Sequence, residues 1–364
     1  MGRFATKRVF LMAEQVRSKI PGGIGTHTTA LLRGLSTIRN EFPGIELEIL
    51  VTRATTPETL DRFGIPIRYL PFRHSVYMRL SDFNFPLLGQ QSGIYHSFSM
   101  FIPPVSKRGQ QRVCTVHDLA FVNHPDFFTK RGAAWHTRKL KSIVGGNFPV
   151  VTVSEHTRDA LLSKGIHDER IWVIESGADH LGHADFKACQ ELLKSLGVGR
   201  RFILSVSTQE PRKNLDGLIR AFELSRKSNP ISPELLVVGA RGWGTDTKQT
   251  PGVHYLGHVP EGILVALYQL AAFLVYVPFE EGFGLPVVEA MWHGLPVVAS
   301  AIPAAAHCVE LVNPNDTDSI AKGISRLVKD QDRREALIAK GLDRVKNMTW
   351  ANSARDHMKL WEQM

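Results

Sequence analysis

Glu281 and Glu289 stand with seven residues between them, on either side of the turn Gly282-Phe283-Gly284-Leu285-Pro286. Ala272 to Val277 reads as a buried strand, and Pro278 ends it. Pro286 suits the first position of a helix, where no N–H is needed. That helix should run to about His293, with Gly294 as its cap. Leu295 to Ser300 reads as the next strand, which gives a β-loop-α-β unit of a doubly wound parallel sheet. In such a turn Gly282 and Gly284 let the backbone come close to a ligand. The N–H groups of Gly284 and Leu285 face an anion site, and the helix dipole adds roughly 0.3–2 kcal/mol. Glu289, one turn into the helix, can look back over the same site, and Glu281 precedes it. Carboxylates beside a diphosphate grip sugar hydroxyls, as the acidic residue of dinucleotide folds grips ribose. The pattern fits a diphosphate with a polyol at each end, which is a nucleotide sugar. The plainer alternative is a βα loop with two solvated glutamates, and the glycines and Pro286 weigh against it.

Other segments carry compatible chemistry. Ser207-Thr208-Gln209-Glu210-Pro211-Arg212-Lys213-Asn214 joins a strand to a helix. Arg212 and Lys213 at a helix start would clamp a diphosphate, each charged hydrogen bond being worth roughly 1.5–3 kcal/mol. A surface basic pair is the alternative. His117, in Thr115-Val116-His117-Asp118-Leu119, falls at the carboxyl edge of a strand, where open α/β sheets bind ligands. It could hydrogen-bond a sugar or an acceptor, or be structural; His96 and Asp118 are weaker candidates. Gly22-Gly23-Ile24-Gly25 reads as a glycine-rich loop before a helix from about Thr26 to Leu35, without the full dinucleotide spacing. Ser154 is as good a helix cap as a ligand. Gly239 to Gly244, including Trp243, and Gly257 to Pro260 flank the expected base pocket. No Asp-x-Asp-like metal cluster stands in a persuasive loop, so no metal is expected; Lys213, Arg212 and helix N-termini would stabilise a leaving diphosphate.

These residues need a frame, and the chain supplies two similar halves. Its 364 residues suffice for two domains with a core each. Arg8 to Met12, Glu46 to Val51, Ile94 to His96, Arg112 to Val116, Val150 to Val153 and Ile171 to Ile174 read as strands of the first. A linker from Ser176 to about Gly199 follows. Phe202 to Val206, Glu234 to Val238 and Val253 to Leu256 open the second domain, with helices from Asn214 to about Ser225 and Gly262 to Leu270. Asp318 to Lys329, Arg333 to about Lys346 and Trp350 to Trp361 read as closing helices. The expected division is 1–175, 176–345 and a final helical segment 346–364, an α/β architecture of two Rossmann-like doubly wound domains.

Composition sets the environment. Cys114, Cys189 and Cys308 are far apart and lack metal spacing, as reduced thiols of a cytoplasmic protein would. No signal peptide is expected, and Val9 to Ala13 is too short to cross a membrane. Residues 1–170 hold 23 Lys and Arg against 13 Asp and Glu, so the whole positive excess lies there. Such a field favours an anionic partner. No nucleic-acid motif accompanies it, so an anionic membrane surface or lipid-diphosphate acceptor fits better. Phe72 to Leu88, with Arg73 and Arg79, and Lys130 to Lys141, with Trp135, mix aromatic and basic residues and are candidates for peripheral contact with an inner membrane face. A solvated basic face is the alternative.

The segment from Glu281 to Glu289 resembles the motif of the retaining glycosyltransferases of family 4, which have the GT-B fold. The resemblance implies two domains facing a central cleft, with the last helix crossing back to the first domain. It implies Glu289 on the donor ribose, Glu281 on the transferred sugar beside Gly282 and Phe283, and Lys213 on the diphosphate. It places Gly22, Gly23 and Gly25 near the donor phosphate and acceptor, His117 on the transferred sugar or acceptor, and the base against backbone around Val259. The implied donor is GDP-mannose first and a UDP-hexose second, with a glycan or lipid-linked saccharide as acceptor in cell-surface polysaccharide synthesis. The chain departs from the pattern at Ser207 and Thr208, where many members have Gly-Arg, and in a shortened segment after Ser300. The second departure keeps open a catalytically degenerate sugar-nucleotide-binding subunit. A Rossmann oxidoreductase would need a complete dinucleotide fingerprint, which the chain does not have.

Overall fold

The computed structural model describes residues 6–17, 22–52, 58–71, 76, 91–105, 108–199, 201–228, 233–242 and 249–364. The chain divides into two compact units, Met1–Gly177 with Trp350–Met364, and Ala178–Thr349.

The first unit carries strands β1 (Lys7–Met12), β2 (Ile45–Thr52), β3 (Ile67–Leu70), β4 (Gly93–Ser97), β5 (Gln110–Val116), β6 (Val150–Thr152) and β7 (Ile171–Val173). They form one sheet in the order β3-β2-β1-β4-β5-β6-β7, with every neighbouring pair parallel. Strands buried on both faces read as continuous apolar runs, as Val9 to Met12 do. Its helices include α1 (Gly22–Ile38), α2 (Lys130–Val144) and α3 (Glu155–Ser163). The second unit carries α4 (Phe186–Ser195), β8 (Phe202–Val206), α5 (Leu215–Ser228), β9 (Glu234–Val238), β10 (Val253–Gly257), α6 (Glu261–Leu270), β11 (Phe273–Tyr276), α7 (Leu285–Trp292), β12 (Val297–Ala299), β13 (Glu310–Leu311), α8 (Thr317–Lys329) and α9 (Gln331–Val345). Its sheet, also parallel throughout, has the order β10-β9-β8-β11-β12-β13. The last helix, α10 (Trp350–Gln363), belongs to the first unit.

Helix α10 packs on α1 so closely that a side chain at Gly34 would run into the Trp350 carbonyl. His357, Met358 and Trp361 of α10 are completely buried. The Trp361 indole donates to His96 Nδ1 at 3.2 Å, and His96 Nε2 meets Thr115 Oγ1 at 3.0 Å. His96 is therefore a core residue, not a site candidate, and burial holds its imidazole well below its ordinary pKa.

Several sequence expectations change. Gly22, Gly23 and Gly25 do not form a loop: α1 begins at Gly22, which takes φ +58°, and they make its first turn. Glycine's low helix propensity points to a later start at Thr26, but burial of Gly25, His27 and Thr28 overrides it. The expected linker contains α4, capped by Asp185, whose Oδ1 accepts from Ala188 N at 3.0 Å. Cys189 and Leu193 give it an inner face, and Gly197 (φ +68°) follows its end. Ser154 is a cap: its Oγ accepts from Thr157 N at 3.2 Å. Trp135 packs into the core with Phe121 and Phe128, and buried Lys139 lies 5.8 Å over its ring. The exposed face of α2 is thus basic, with Lys130, Arg131, Arg138 and Lys141, and lacks the expected aromatic anchor. The aromatic-basic stretch Phe72 to Leu88 lies outside the described residues, apart from Val76, as does Trp243.

Candidate active site

In the second unit, strands are added to one side of β8 and then to the other side through β11, so the β8/β11 boundary is a topological switch point. Loops leaving the two strands at their carboxyl ends splay apart there, which makes a natural crevice. After β8 the chain runs through Ser207 to Asn214, and after β11 through Val277 to Gly284. The Phe279 N–H donates to the Arg212 carbonyl at 3.0 Å, which ties the two loops together.

Lys213 does not sit at a helix N-terminus. Pro211–Lys213 is a single 3-10 turn, and α5 starts after Asn214, which adopts φ +56°, ψ +36°. The buried Asn214 amide donates to the Val277 carbonyl at 3.1 Å and the Pro314 carbonyl at 2.8 Å, which locks the turn. Lys213 Nζ then reaches Glu281 Oε2 at 2.5 Å and Tyr276 Oη at 2.8 Å. The Tyr276 hydroxyl donates to the same Glu281 oxygen at 2.8 Å. Arg212 donates to Glu281 Oε2 at 3.2 Å, to the Glu280 carbonyl at 3.1 Å and to Glu210 Oε1 at 3.1 Å. Two cations and two carboxylates thus balance in a mostly buried cluster.

Burial pushes the Glu281 carboxyl up, but the charges of Lys213 and Arg212 and the hydrogen bonds from Lys213 and Tyr276 outweigh it. Its pKa falls to about 2. Burial and the neighbouring Arg212 charge lower the Lys213 pKa, against the pull of Glu281. Burial, then the Glu281 charge, raises the Tyr276 phenol well above its usual value.

The glycine turn follows directly. Gly284 precedes α7 with φ +105°, and a side chain there would strike Ile302. Phe283 is buried, and its carbonyl accepts from Ala304 N at 3.0 Å. Leu285 opens α7, and Pro286 occupies its first turn. The segment 302–308 therefore braces the turn, with two consecutive left-handed non-glycine residues, Ala306 (φ +41°) and His307 (φ +67°). Among the described residues the other positive-φ non-glycine residue is Asn214, beside Lys213.

Glu289 keeps different company. Only 5 % exposed, it accepts from the Tyr268 hydroxyl at 2.6 Å through Oε2, and its Oε1 lies 3.1 Å from His180 Nε2. Burial pushes its pKa up, but His180, Tyr268 and His293 together bring it below the ordinary value. Val259 is buried between β10 and α6. Nearby, Gly239 (φ +142°) lies so near Ser207 that a side chain would collide with the Ser207 carbonyl. Gln209 is zipped to the same segment, its N–H donating to the Ala240 carbonyl at 3.0 Å.

In the first unit, His117 Nε2 meets the Phe98 carbonyl at 3.0 Å. A carbonyl only accepts, so Nε2 carries the proton in this contact. The His117 ring stands edge-on to His27 at 4.8 Å, and His27 Nδ1 meets Ser176 Oγ at 3.1 Å. His27 lies two residues beyond Gly25, so the fold brings the glycine turn and His117 into one neighbourhood. Asp118 caps the following turn, accepting from Ala120 N at 3.1 Å. His27, His180, Tyr268 and Tyr276 are absent from the sequence-derived set. Both tyrosines lie in apolar runs that read as core, and nothing local to His27 or His180 marks the partner each meets.

Residues 21–180 match the model of Glycosyltransferase Family 4, and residues 192–344 that of Glycosyl transferases group 1. The chain is 29% identical over 274 residues to O-antigen chain mannosyltransferase B of Escherichia coli, covering 71% of each. It is 25% identical to the Escherichia coli serotype-specific mannosyltransferase WbdA over 66% of this chain and 32% of that longer protein. Among solved structures, HepE of Anabaena in complex with UDP and glucose aligns with a TM-score of 0.68 at 18% identity, covering 98% of this chain and 100% of the other. Sucrose-phosphate synthase from Thermosynechococcus elongatus aligns with a TM-score of 0.69 at 16% identity, covering 98% of each. At these identities the structural likeness speaks for the fold, that of GT-B enzymes with two parallel-sheet Rossmann-like domains. The two family models together span most of the sequence, and the chain belongs to the family 4 glycosyltransferases.

Proposed function

We propose that this glycosyltransferase moves a hexose, mannose in preference, from a nucleotide-diphosphate sugar to a hydroxyl of a glycan or lipid-linked saccharide, with retention of anomeric configuration, in cell-surface polysaccharide synthesis. GDP-mannose is the first choice of donor and a UDP-hexose the second. The observation that carries this is the convergence of Arg212, Lys213 and Glu281 beside the glycine start of α7, at a switch point. The similarity to mannosyltransferases supports mannose, and the UDP and glucose of the HepE complex support the second choice.

The roles follow from the groups present. Lys213 and Arg212 neutralise the leaving diphosphate together with the first N–H groups of α7, among them that of Leu285, and Gly282, Phe283 and Gly284 shape the turn that approaches it. No metal is assigned to that task, which falls to these side-chain and backbone donors. Glu281, with a pKa near 2, stays a carboxylate at working pH. It accepts hydroxyls of the transferred sugar and does not serve as a general acid. Glu289 receives the ribose hydroxyls, and backbone around Val259 receives the base. In the first unit His117, with Nε2–H held by Phe98, presents Nδ1 as the acceptor side of its ring to a sugar hydroxyl. Gly22, Gly23 and Gly25 allow close backbone approach of donor phosphate or acceptor. We assign the protein to the cytoplasm on its three dispersed cysteines, and to the periphery of the inner membrane face on the basic excess of the first 170 residues. No helix among the described residues is long and apolar enough to cross a membrane.

Calorimetric titration of GDP, UDP and ADP, without metal and then with magnesium, tests the donor site. Selective, metal-independent binding of one nucleotide is the expected result. Binding that appears only with magnesium overturns the cation-clamp role, and no binding at all overturns the donor reading.

A further inference from the structure

Glu289 sits between two elements that the turn motif does not include. Tyr268 comes from the last turn of α6, and His180 from the segment just after Gly177. That segment is itself fixed to α6, with Gly182 N donating to Glu261 Oε1 at 2.8 Å and Asp185 N to the Gly262 carbonyl at 2.9 Å. Each oxygen of the Glu289 carboxylate has its own partner, Tyr268 on Oε2 and His180 on Oε1. We propose that Tyr268 and His180 are positioning residues that clamp the two Glu289 oxygens and so present their remaining lone pairs to the donor ribose. The proposal rests on the assignment of Glu289 to the ribose.

The physical case is one of burial against compensation. A carboxylate this buried favours its neutral form unless donors surround it. The charged form is acceptor-only and the stronger acceptor on both oxygens, which suits a pair of donating ribose hydroxyls; protonation turns one oxygen into a donor. The titratable groups facing Glu289 are His180, Tyr268 from α6 and His293, which caps the C-terminus of α7, and the three together outweigh burial. Tyr268 cannot give up its proton to escape the arrangement, since burial and the Glu289 charge hold its phenol well above the usual value. It is a permanent donor. Removing the hydroxyl leaves burial less opposed, so the Glu289 pKa rises and ribose recognition becomes sensitive to acid.

The test titrates GDP and its 2′,3′-dideoxy analogue into the wild type and into Tyr268→Phe from about pH 8 to about pH 5.5, or the UDP pair should UDP be the preferred base. The wild type is expected to prefer the ribonucleotide equally at every pH. Tyr268→Phe should approach it at the alkaline end and lose affinity for GDP on acidification, by roughly tenfold per unit below the raised pKa. Its affinity for the dideoxy analogue should stay unchanged. His180→Leu and His180→Gln, which both remove the imidazole 3.1 Å from Oε1, should behave like Tyr268→Phe. Should Tyr268→Phe fail to fold, the His180 pair carries the same comparison. Ribose preference in the wild type with an unaltered pH profile in the folded variants overturns the clamp and leaves the ribose assignment standing. A wild type that holds both nucleotides equally overturns that assignment, and the clamp with it.

Discussion

Glu281 shows how little one side chain's identity says without its neighbours. Three donors, Lys213 Nζ, Tyr276 Oη and Arg212 Nη1, end on a single Glu281 oxygen. Removing one partner of such a buried pair leaves the other charge short of compensation. Lys213→Ala should lower turnover by roughly 10²–10³-fold, the usual scale for loss of one preorganised charge at a leaving group. Steady-state kinetics at saturating donor, with a melting curve as control for folding, measure it; unchanged turnover would remove Lys213 from the mechanism. The cluster also has a pH signature. The Glu281 pKa is about 2 in the folded chain against an ordinary 4.5. A depressed carboxylate pKa stabilises the fold fully above the unfolded value and loses that share as pH falls through the folded one. Urea unfolding of the wild type should therefore show stability falling between about pH 4.5 and 2, with a shallower fall in Glu281→Gln. Parallel acid limbs in the two proteins would contradict the assignment.

Elements decide where these side chains can go. The turn before α7 is braced from outside by the segment after β12, through Ala304 N to the Phe283 carbonyl. That segment bears the adjacent left-handed residues Ala306 and His307. An L-residue in this region costs roughly 1–2 kcal/mol, and glycine avoids the cost. Replacing Ala306 or His307 by glycine should raise the stability of the second unit by up to about 1 kcal/mol each. Calorimetric melting tests this, and a lower melting temperature in both variants would show that the turn stores no strain. In the first unit Ser154→Ala should cost about 1 kcal/mol, because it deprives Thr157 N of its cap.

On the scale of the whole molecule, the first unit depends on the last helix of the chain. Met358, Leu360 and Trp361 of α10 are essentially buried, and Trp350 nearly so. Burial of side chains of this size contributes roughly 1.5–3 kcal/mol each. Their sum is comparable with the roughly 5–15 kcal/mol that separates folded from unfolded domains. A chain ending at Thr349 should leave its first unit unfolded, visible as loss of protection in hydrogen exchange over β1, β4 and α1. Native-like protection there would refute this dependence. His357 adds a pH term. Burial, only partly offset by the Ser353 carbonyl and Asp356, holds its pKa at about 4 against 6.5. The unfolded chain then binds more protons between those values, so stability falls as pH drops from about 6.5 to 4. His357→Gln should flatten that slope, though His96, also held low, leaves part of it.

Sequence alone determined the local events. The β-turn-α pattern around Gly282 to Pro286 was legible because glycine, proline and buried apolar runs act on their immediate neighbours, and most strands of both sheets were legible for the same reason. It did not reveal that Gly22 opens a helix, that α4 fills the supposed linker, or that β3 and β13 extend the sheets, since each rests on burial against distant residues. The tertiary structure decided the partners. Lys213 meets Glu281 across 68 positions of chain, Glu289 meets Tyr268 across 21, and Trp361 meets His96 across 265. Residue types and short spacings fix backbone preference, but hydrogen-bond pairing and pKa arise only when packing brings remote groups within about 3 Å and removes the water between them.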